Sequence, residues 1–241
     1  MGIRRSDRVL AAAALLPAAP VCLIAAAGIW LADGRPVLYR SCRVGAHGRA
    51  FTMFKFRTMY AEAGRTGKSA GSAITSADDA RVFAFGGWLR RWKIDELPQL
   101  LNVIRGDMAI IGPRPEDPAI VDACYGPLAR ETLTVAPGLA SPGSIYNFTH
   151  GEHIFLHDSA GSPEEAYAQD LLPRKLALDL VYVRAASMRY DLRIALRALA
   201  CILARGVGRR VFPDPPELAH ARQLEPQLRA ALATLRPTGT S

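Results

Sequence analysis

The sequence predicts an α+β protein that is mainly helical and attached to a membrane through its N-terminal segment. Residues 9–32 contain no charged side chain over 24 positions. Two short runs of β-branched and aromatic residues, 37–41 and 51–58, have Gly45 and Gly48 between them, which predicts a small β-hairpin. Helical patterns follow at 97–105, 118–135, 162–180 and 190–210, and a small polar loop is predicted at 60–77.

The composition limits the class of protein. Half of the 241 residues are hydrophobic and 22% are charged, which excludes a disordered chain. Only one segment is apolar enough to enter a bilayer, which excludes a many-pass transporter. The formal charge of +8 indicates an anionic partner, which can be a nucleic acid, phospholipid headgroups or a phosphorylated substrate. The four cysteines are widely spaced, so we expect reduced thiols.

Three interpretations of the apolar N-terminal run remain open from its residues: a cleaved signal peptide, a single spanning helix, and a re-entrant helix–break–helix hairpin. Pro17 and Pro20 lie near its centre, and each removes a helical hydrogen bond. The halves are then about a dozen residues, roughly 18 Å each, too short for a hydrocarbon core of about 30 Å. Arginines flank both ends, whereas a spanning helix prefers them on one side. These features favour the hairpin.

Three parts are predicted: a membrane hairpin at 1–35, a main domain at 36–210, and a peripheral C-terminal tail at 211–241. Within the main domain, 190–210 forms a basic amphipathic helix. Such a helix either lies on an anionic membrane surface as an interfacial helix or packs as an ordinary helix of the domain.

The candidate chemistry centres on Asp95 and Glu96, which precede Pro98. Proline is tolerated in the first turn of a helix, so we predict a helix that starts here with Asp95 as its N-cap. One interpretation is structural, with Asp95 capping the helix and Glu96 complementing its dipole. The other is catalytic, because a helix N-terminus is also a ready site for phosphate.

Four cations accompany the acidic pair. Arg90 lies five residues upstream, and Arg114 stands between Pro113 and Pro115, which stiffen its backbone. Lys55 and Arg57 alternate with phenylalanines in a predicted strand, so both are expected on one face. Two carboxylates and four cations around one helix start would suit phosphoryl transfer with a divalent metal.

Five motifs follow one another along this part of the chain: Phe51-Thr-Met-Phe-Lys55-Phe-Arg57-Thr-Met59, Asp95-Glu96-Leu-Pro-Gln99, Asn102-Val103, Gly106-Asp107-Met108 and Gly112-Pro-Arg114-Pro115-Glu116. In this order they resemble the bacterial sugar transferase family, which comprises the monotopic polyprenyl-phosphate sugar-1-phosphate transferases. The resemblance is dense from 39 to 116 and weaker through Pro137-Gly138 and through Lys175-Leu-Ala-Leu-Asp179-Leu-Val-Tyr182.

The resemblance implies that Asp95 attacks the sugar-bearing phosphate of a UDP-sugar, releases UMP and holds the sugar phosphate until polyprenyl phosphate accepts it. It implies Mg²⁺ at Glu96, phosphate binding by Arg90 and Arg114, and a substrate-binding or structural role for Lys55 and Arg57. It also implies a re-entrant hairpin, with the catalytic domain on the cytoplasmic face of the bacterial inner membrane. There the protein would begin exopolysaccharide or other surface-glycan synthesis.

The sequence departs from the family just before the acidic pair, where Trp92-Lys93-Ile94 stands in place of the common Thr-Ser-Leu. It also lacks the usual Gly-Trp element in 139–148, so the sugar is left open. The alternative function is a non-catalytic membrane-bound scaffold for glycan-assembly proteins. No nucleic-acid partner is expected, because no recognition motif is present.

Overall fold

The computed structural model describes residues 3–60, 79–157 and 167–235, with the backbone only at 152–157 and 233–235. The predicted loop at 60–77 lies outside the described residues from position 61 onward, and so does the predicted helix start at Ser162. The described part is mainly helical, as predicted. Its helices are α1 Arg5–Asp33, α2 Ala84–Arg91, α3 Leu100–Arg105, α4 Pro118–Cys124, α5 Pro127–Arg130, α6 Pro142–His157, α7 Leu172–Ala185, α8 Met188–Gly206 and α9 Leu218–Leu235.

The predicted β-hairpin is confirmed. Strands β1 (Leu38–Val44) and β2 (Ala50–Phe56) pair antiparallel, and the short turn Ala46–Gly48 connects them. A second, two-stranded sheet pairs β3 (Ala109–Ile111) in parallel with β4 (Gly138–Ala140). The hairpin precedes the candidate acidic pair, Asp95 and Glu96, and the second sheet follows it in the sequence.

Helix α7 lies at the centre of the main apolar core and packs against α6 and α9. Its fully buried side chains include Leu176, Leu178 and Leu180. Residues 211–235, which we expected to belong to a peripheral tail, include α9, and its Leu218, Ala221 and Leu228 are buried in this core.

The buried side chain of Asn102 on α3 hydrogen-bonds that helix to β2. Its Nδ2 donates to the carbonyl of Thr52 at 2.7 Å, and its Oδ1 accepts from the backbone N–H of Phe54 at 3.1 Å. Because Asn102 is fully buried, these bonds fix the register between helix and strand. They set Lys55, the next residue of β2, beside the turn that precedes α3.

Helix α1 runs without interruption from Arg5 to Asp33, through Pro17 and Pro20. The prediction of a helix–break–helix is therefore wrong at the level of secondary structure. Each proline removes one backbone donor, but α1 packs along α2, α3 and the turn Ile94–Gln99. This packing buries Ala11, Ala25 and Ile29 and supports the helix on both sides of the prolines.

Both ends of α1 are tied to the same folded body. Near the N-terminal end, Arg4 forms an ion pair with Asp191 of α8 at 2.7 Å. At the C-terminal end, Asp33 forms an ion pair with Arg57, and the carbonyl of Gly34 accepts from the same guanidinium at 2.9 Å. The helix is about 43 Å long at 1.5 Å per residue, so it is held across the domain at its two ends.

Two apolar surfaces are exposed in the described part of the chain. The surface on α1 includes Leu16 and Leu31, each 78% exposed. On α8 a stripe at helical spacing is exposed, and it consists of Met188, Leu192, Leu196, Leu199 and Leu203. An uncovered apolar stripe of this size is typical of a surface that meets a partner or a membrane.

Candidate active site

The acidic pair lies in a 3₁₀ turn, Ile94–Gln99, between α2 and α3. The residue that precedes the turn is Lys93, which has a left-handed backbone with φ 56°. The prediction that Asp95 is the N-cap is therefore wrong, because α2 ends at Arg91 and the chain reverses at Lys93 before the turn begins. Pro98 lies inside the turn, where its missing N–H costs no helical hydrogen bond.

Glu96 is the hub of an ion-pair cluster. Arg114 donates to both of its carboxylate oxygens, with one contact at 3.2 Å. The ammonium groups of Lys93 and Lys55 lie 3.2 and 3.4 Å from Glu96 Oε1. Burial alone would raise the pKa of Glu96, but the charges of Arg114, Lys93 and Lys55 hold it well below its usual range. Glu96 is therefore ionised, and both of its carboxylate oxygens are paired with cations.

Asp95 differs from its neighbour. It is buried, and its Oδ1 atom has no hydrogen-bond partner among the described residues. Burial and the charge of Glu96 raise the pKa of Asp95, against the opposing pull of Lys93, Lys55 and Arg90. A buried acceptor without a partner is rare in folded proteins, and here it belongs to the residue predicted to attack phosphorus.

Arg90 approaches the pair from α2. Its Nε donates to Thr58 Oγ1 at 2.7 Å, and its terminal nitrogens form no hydrogen bond within the part of the chain that the structure describes. Gly86 allows this approach, because a Cβ there would lie 2.3 Å from the carbonyl oxygen of Thr58. Burial lowers the pKa of Arg90, while the charge of Asp95 opposes that shift.

Lys55 reaches the cluster from the hairpin. Burial lowers its pKa to about 8, although Glu96 favours the charged form. Lys55 and Arg114 therefore both contact Glu96, as expected, and the charges of Arg90 and Asp95 interact.

Arg57 is not part of the cluster, although it was predicted to act together with Lys55. The backbone N–H of Arg57 still pairs with the carbonyl of Val37 at 2.9 Å, just beyond the last residue of β2. The Arg57 guanidinium instead donates to the carbonyls of Pro36 and Asp33 at 2.6 and 2.8 Å and forms an ion pair with the Asp33 carboxylate. Its donors secure the end of α1 rather than a substrate.

The segment that aims Arg114 depends on residues with no predicted site role. Glu116, two residues further on, is buried against Lys175 and accepts from Tyr167 OH at 2.7 Å. One turn later on α7, the buried carboxylate of Asp179 accepts from the backbone N–H of Gly143 at 2.9 Å and also interacts with the backbone of Arg114. In the sequence, only the weak family resemblance from Lys175 to Tyr182 pointed to Lys175 and Asp179.

The residues around Glu96 do not fit a ready Mg²⁺ site. Both of its oxygens are bound by Arg114, and two ammonium groups lie within 3.4 Å, whereas Mg²⁺ needs carboxylate oxygens that are free to coordinate. Within the described ranges, no group of three or more His, Cys, Asp or Glu side chains could hold a metal ion. The Mg²⁺ requirement stays a prediction.

The family model for bacterial sugar transferases matches residues 2–205. Among curated relatives, an undecaprenyl-phosphate glucose phosphotransferase of Komagataeibacter xylinus is 36% identical over 75% of this chain and 32% of its own length. A UDP-glucose:undecaprenyl-phosphate glucose-1-phosphate transferase of Xanthomonas campestris is 33% identical over 83% of this chain and 38% of its own length. The exopolysaccharide production protein ExoY of Rhizobium meliloti is 31% identical over 86% of this chain and 88% of its own length.

The chain thus spans about a third of the length of the first two relatives and most of the length of the third. The match to the family model contains the hairpin, the turn with the acidic pair, and the segment of Arg114. This chain belongs to the bacterial sugar transferase family.

Proposed function

We propose that this protein transfers a sugar 1-phosphate from a UDP-sugar to polyprenyl phosphate and so begins the synthesis of an exopolysaccharide or another surface glycan. One observation supports this most: Asp95, with a carboxylate oxygen that lacks a partner among the described residues, lies beside a cluster of cations. Such an arrangement suits a nucleophile that attacks a diphosphate. The names of the relatives state the same reaction class.

The proposed reaction has two displacements at one phosphorus atom. A carboxylate oxygen of Asp95 attacks the sugar-bearing phosphorus of the UDP-sugar, an Asp–O–P bond forms, and the bridging P–O bond breaks as UMP leaves with its electron pair. An oxygen of polyprenyl phosphate then attacks the same phosphorus, and the carboxylate leaves. Polyprenyl-diphosphate-sugar is released, and Asp95 is regenerated as an anion, so no external acid or base is consumed.

The cations have separate parts in this scheme. Arg114 and Lys55 hold Glu96, and the positive charge of Lys55 favours the ionised form of Asp95. Arg90 has terminal nitrogens available for phosphate oxygens, because Thr58 occupies only Nε among the described residues. Charge-assisted hydrogen bonds of this kind stabilise the negative charge that spreads over phosphate oxygens during transfer.

The test uses the purified chain in nanodiscs with Mg²⁺, undecaprenyl phosphate and a panel of UDP-sugars. The panel includes UDP-glucose and UDP-N-acetylgalactosamine, because relatives are named for these sugars. We expect UMP release with one or two donors. Release of UDP instead would contradict the mechanism. No release from any donor by folded protein would favour the scaffold that recruits glycan-assembly proteins.

We also propose that α1 enters the cytoplasmic leaflet and does not cross the membrane. Both of its ends are tied to one folded body, by Arg4 to Asp191 and by Asp33 to Arg57, so both ends belong on one side. The exposed apolar stripe of α8 would rest on the same leaflet among lipid headgroups, with arginines such as Arg193 and Arg209 at the surface.

Cysteine labelling distinguishes this topology from a spanning helix. In a cysteine-free variant, Ser6→Cys and Arg35→Cys place one thiol at each exposed end of α1, and Thr134→Cys marks the main domain. A membrane-impermeant maleimide should label all three in inside-out vesicles and none in right-side-out vesicles. Labelling of the two ends from opposite sides would establish a spanning helix and refute the proposal.

A further inference from the structure

Lys93 has a backbone conformation that its residue type disfavours. Its φ of 56° is left-handed, and the position follows the end of α2, where helices commonly use glycine or asparagine. A lysine gains nothing in backbone energy here. Strained positions of this kind cluster at functional sites, where a side chain is needed in a particular place.

The side chain of Lys93 bridges the acidic pair and α6. Its Nζ lies 3.2 Å from Glu96 Oε1 and 4.9 Å from the centre of the Phe148 ring. The same ring has Arg205 Cζ at 4.7 Å. The Lys93 side chain keeps 28% of its surface exposed, so its ammonium borders solvent at the edge of the site. A group in this place can meet an incoming ligand.

Charge balance points to an anionic ligand. Glu96 is already engaged by Arg114 and Lys55, so Lys93 is a third cation on a single carboxylate. Together with Arg90, the four cations exceed the charges of Asp95 and Glu96 by two. The diphosphate of a nucleotide sugar carries two negative charges, which would match this excess.

We propose that Lys93 binds the diphosphate of the donor, exchanging Glu96 Oε1 for a phosphate oxygen when the donor enters. This inference rests on the proposed function and deepens it, because it assigns a donor-binding role to a residue outside the acidic pair. Phe148 is the platform that keeps the ammonium near this place by a cation–π contact.

The experiment measures binding of UDP and UMP to the full chain in detergent by calorimetry. We expect Lys93→Gln to weaken UDP binding about tenfold, the effect of losing about 1.4 kcal/mol from one charge-assisted contact. Binding of UMP, which has one phosphate fewer, should weaken by a smaller factor. Lys93→Arg should restore most of the UDP affinity, because it keeps the charge.

Two further variants separate binding from folding. Lys93→Gly removes the same ammonium but suits the left-handed backbone, so it should raise the melting temperature while UDP binding still falls. Arg222→Gln on α9, whose side chain is 69% exposed, removes a charge elsewhere and should leave UDP binding unchanged. Unchanged UDP affinity in Lys93→Gln and Lys93→Gly would overturn the inference. If the wild-type chain binds neither nucleotide, the proposed function itself fails.

Discussion

Asp95→Asn is expected to abolish UMP release, with a loss on the order of 10⁴-fold or more, as is found when a covalent nucleophile is removed from other enzymes. The amide has nearly the shape of the carboxylate but cannot form the Asp–O–P bond. The measurement is UMP released from the donor that the wild-type chain accepts. The wild-type chain should also form a sugar-phosphate adduct on the peptide that contains Asp95, detectable by mass spectrometry and absent from the variant.

The same substitution should not destabilise the fold. Burial raises the pKa of Asp95 in the folded protein. The unfolded chain has a pKa of about 3.9 at this residue, so the free energy of unfolding decreases as the pH rises above that value. Asparagine removes that penalty, so we expect an equal or higher melting temperature at pH 7. Wild-type UMP release from folded Asp95→Asn protein would eliminate Asp95 as the nucleophile.

Glu96→Gln is the matched control for that experiment. It also replaces a carboxylate in the turn with an amide, but it breaks the ion pairs with Arg114, Lys55 and Lys93. We therefore expect lower stability as well as lower activity. The opposite signs of the two stability changes would show that neighbouring carboxylates have different environments in the same turn.

Much of this site was predictable from the sequence because prolines restrict the backbone close to its charged residues. Asp95, Glu96 and Pro98 together indicate a turn at the start of a helix, and the prolines around Arg114 restrict where its side chain points. The role of Arg57 was predicted wrongly because its partners, Asp33 and Pro36, come from the end of α1 and the segment that follows it. No local pattern in the strand contains these tertiary contacts.

The positioning residues were harder to predict for a different reason. Lys175 and Asp179 are far from Glu116 and Gly143 in sequence, and only the packing of α7 brings them together. The continuity of α1 also depends on tertiary packing, because local rules assign each proline a break and cannot count the contacts that α2 and α3 supply. The left-handed backbone of Lys93 could not be predicted, because lysine does not favour that conformation.

Lys175→Met is expected to cost about 3–5 kcal/mol of folding free energy, the usual cost of leaving a buried charge without its partner. Lys175 and Glu116 are only 3% and 7% exposed, and Tyr167 OH at 2.7 Å would remain as a hydrogen-bond donor to Glu116 among the described residues. Methionine fits the volume of the lysine stem, so a cavity contributes little. Denaturant unfolding of the purified chain in detergent measures the difference.

The dependence on pH identifies the cause. Burial alone would raise the pKa of Glu116, but Lys175 and Tyr167 hold it below its usual value. In the wild-type chain this carboxylate therefore stabilises the fold at neutral pH, and the contribution is lost as the pH falls through its folded pKa. Without Lys175 the pKa of Glu116 should rise instead, so the penalty should be larger at pH 8 than at pH 5.

Two controls make the comparison specific to the buried pair. Glu116→Gln combined with Lys175→Met leaves no unpaired charge and should recover much of the lost stability. Arg184→Met breaks a pair with Glu131 in which both side chains are more than 40% exposed, and it should cost no more than about 1 kcal/mol. If Lys175→Met costs as little as Arg184→Met, the buried pair does not hold the segment of Arg114. If it costs several times more, with the predicted pH dependence, the buried pair of Glu116 and Lys175 holds the segment that carries Arg114.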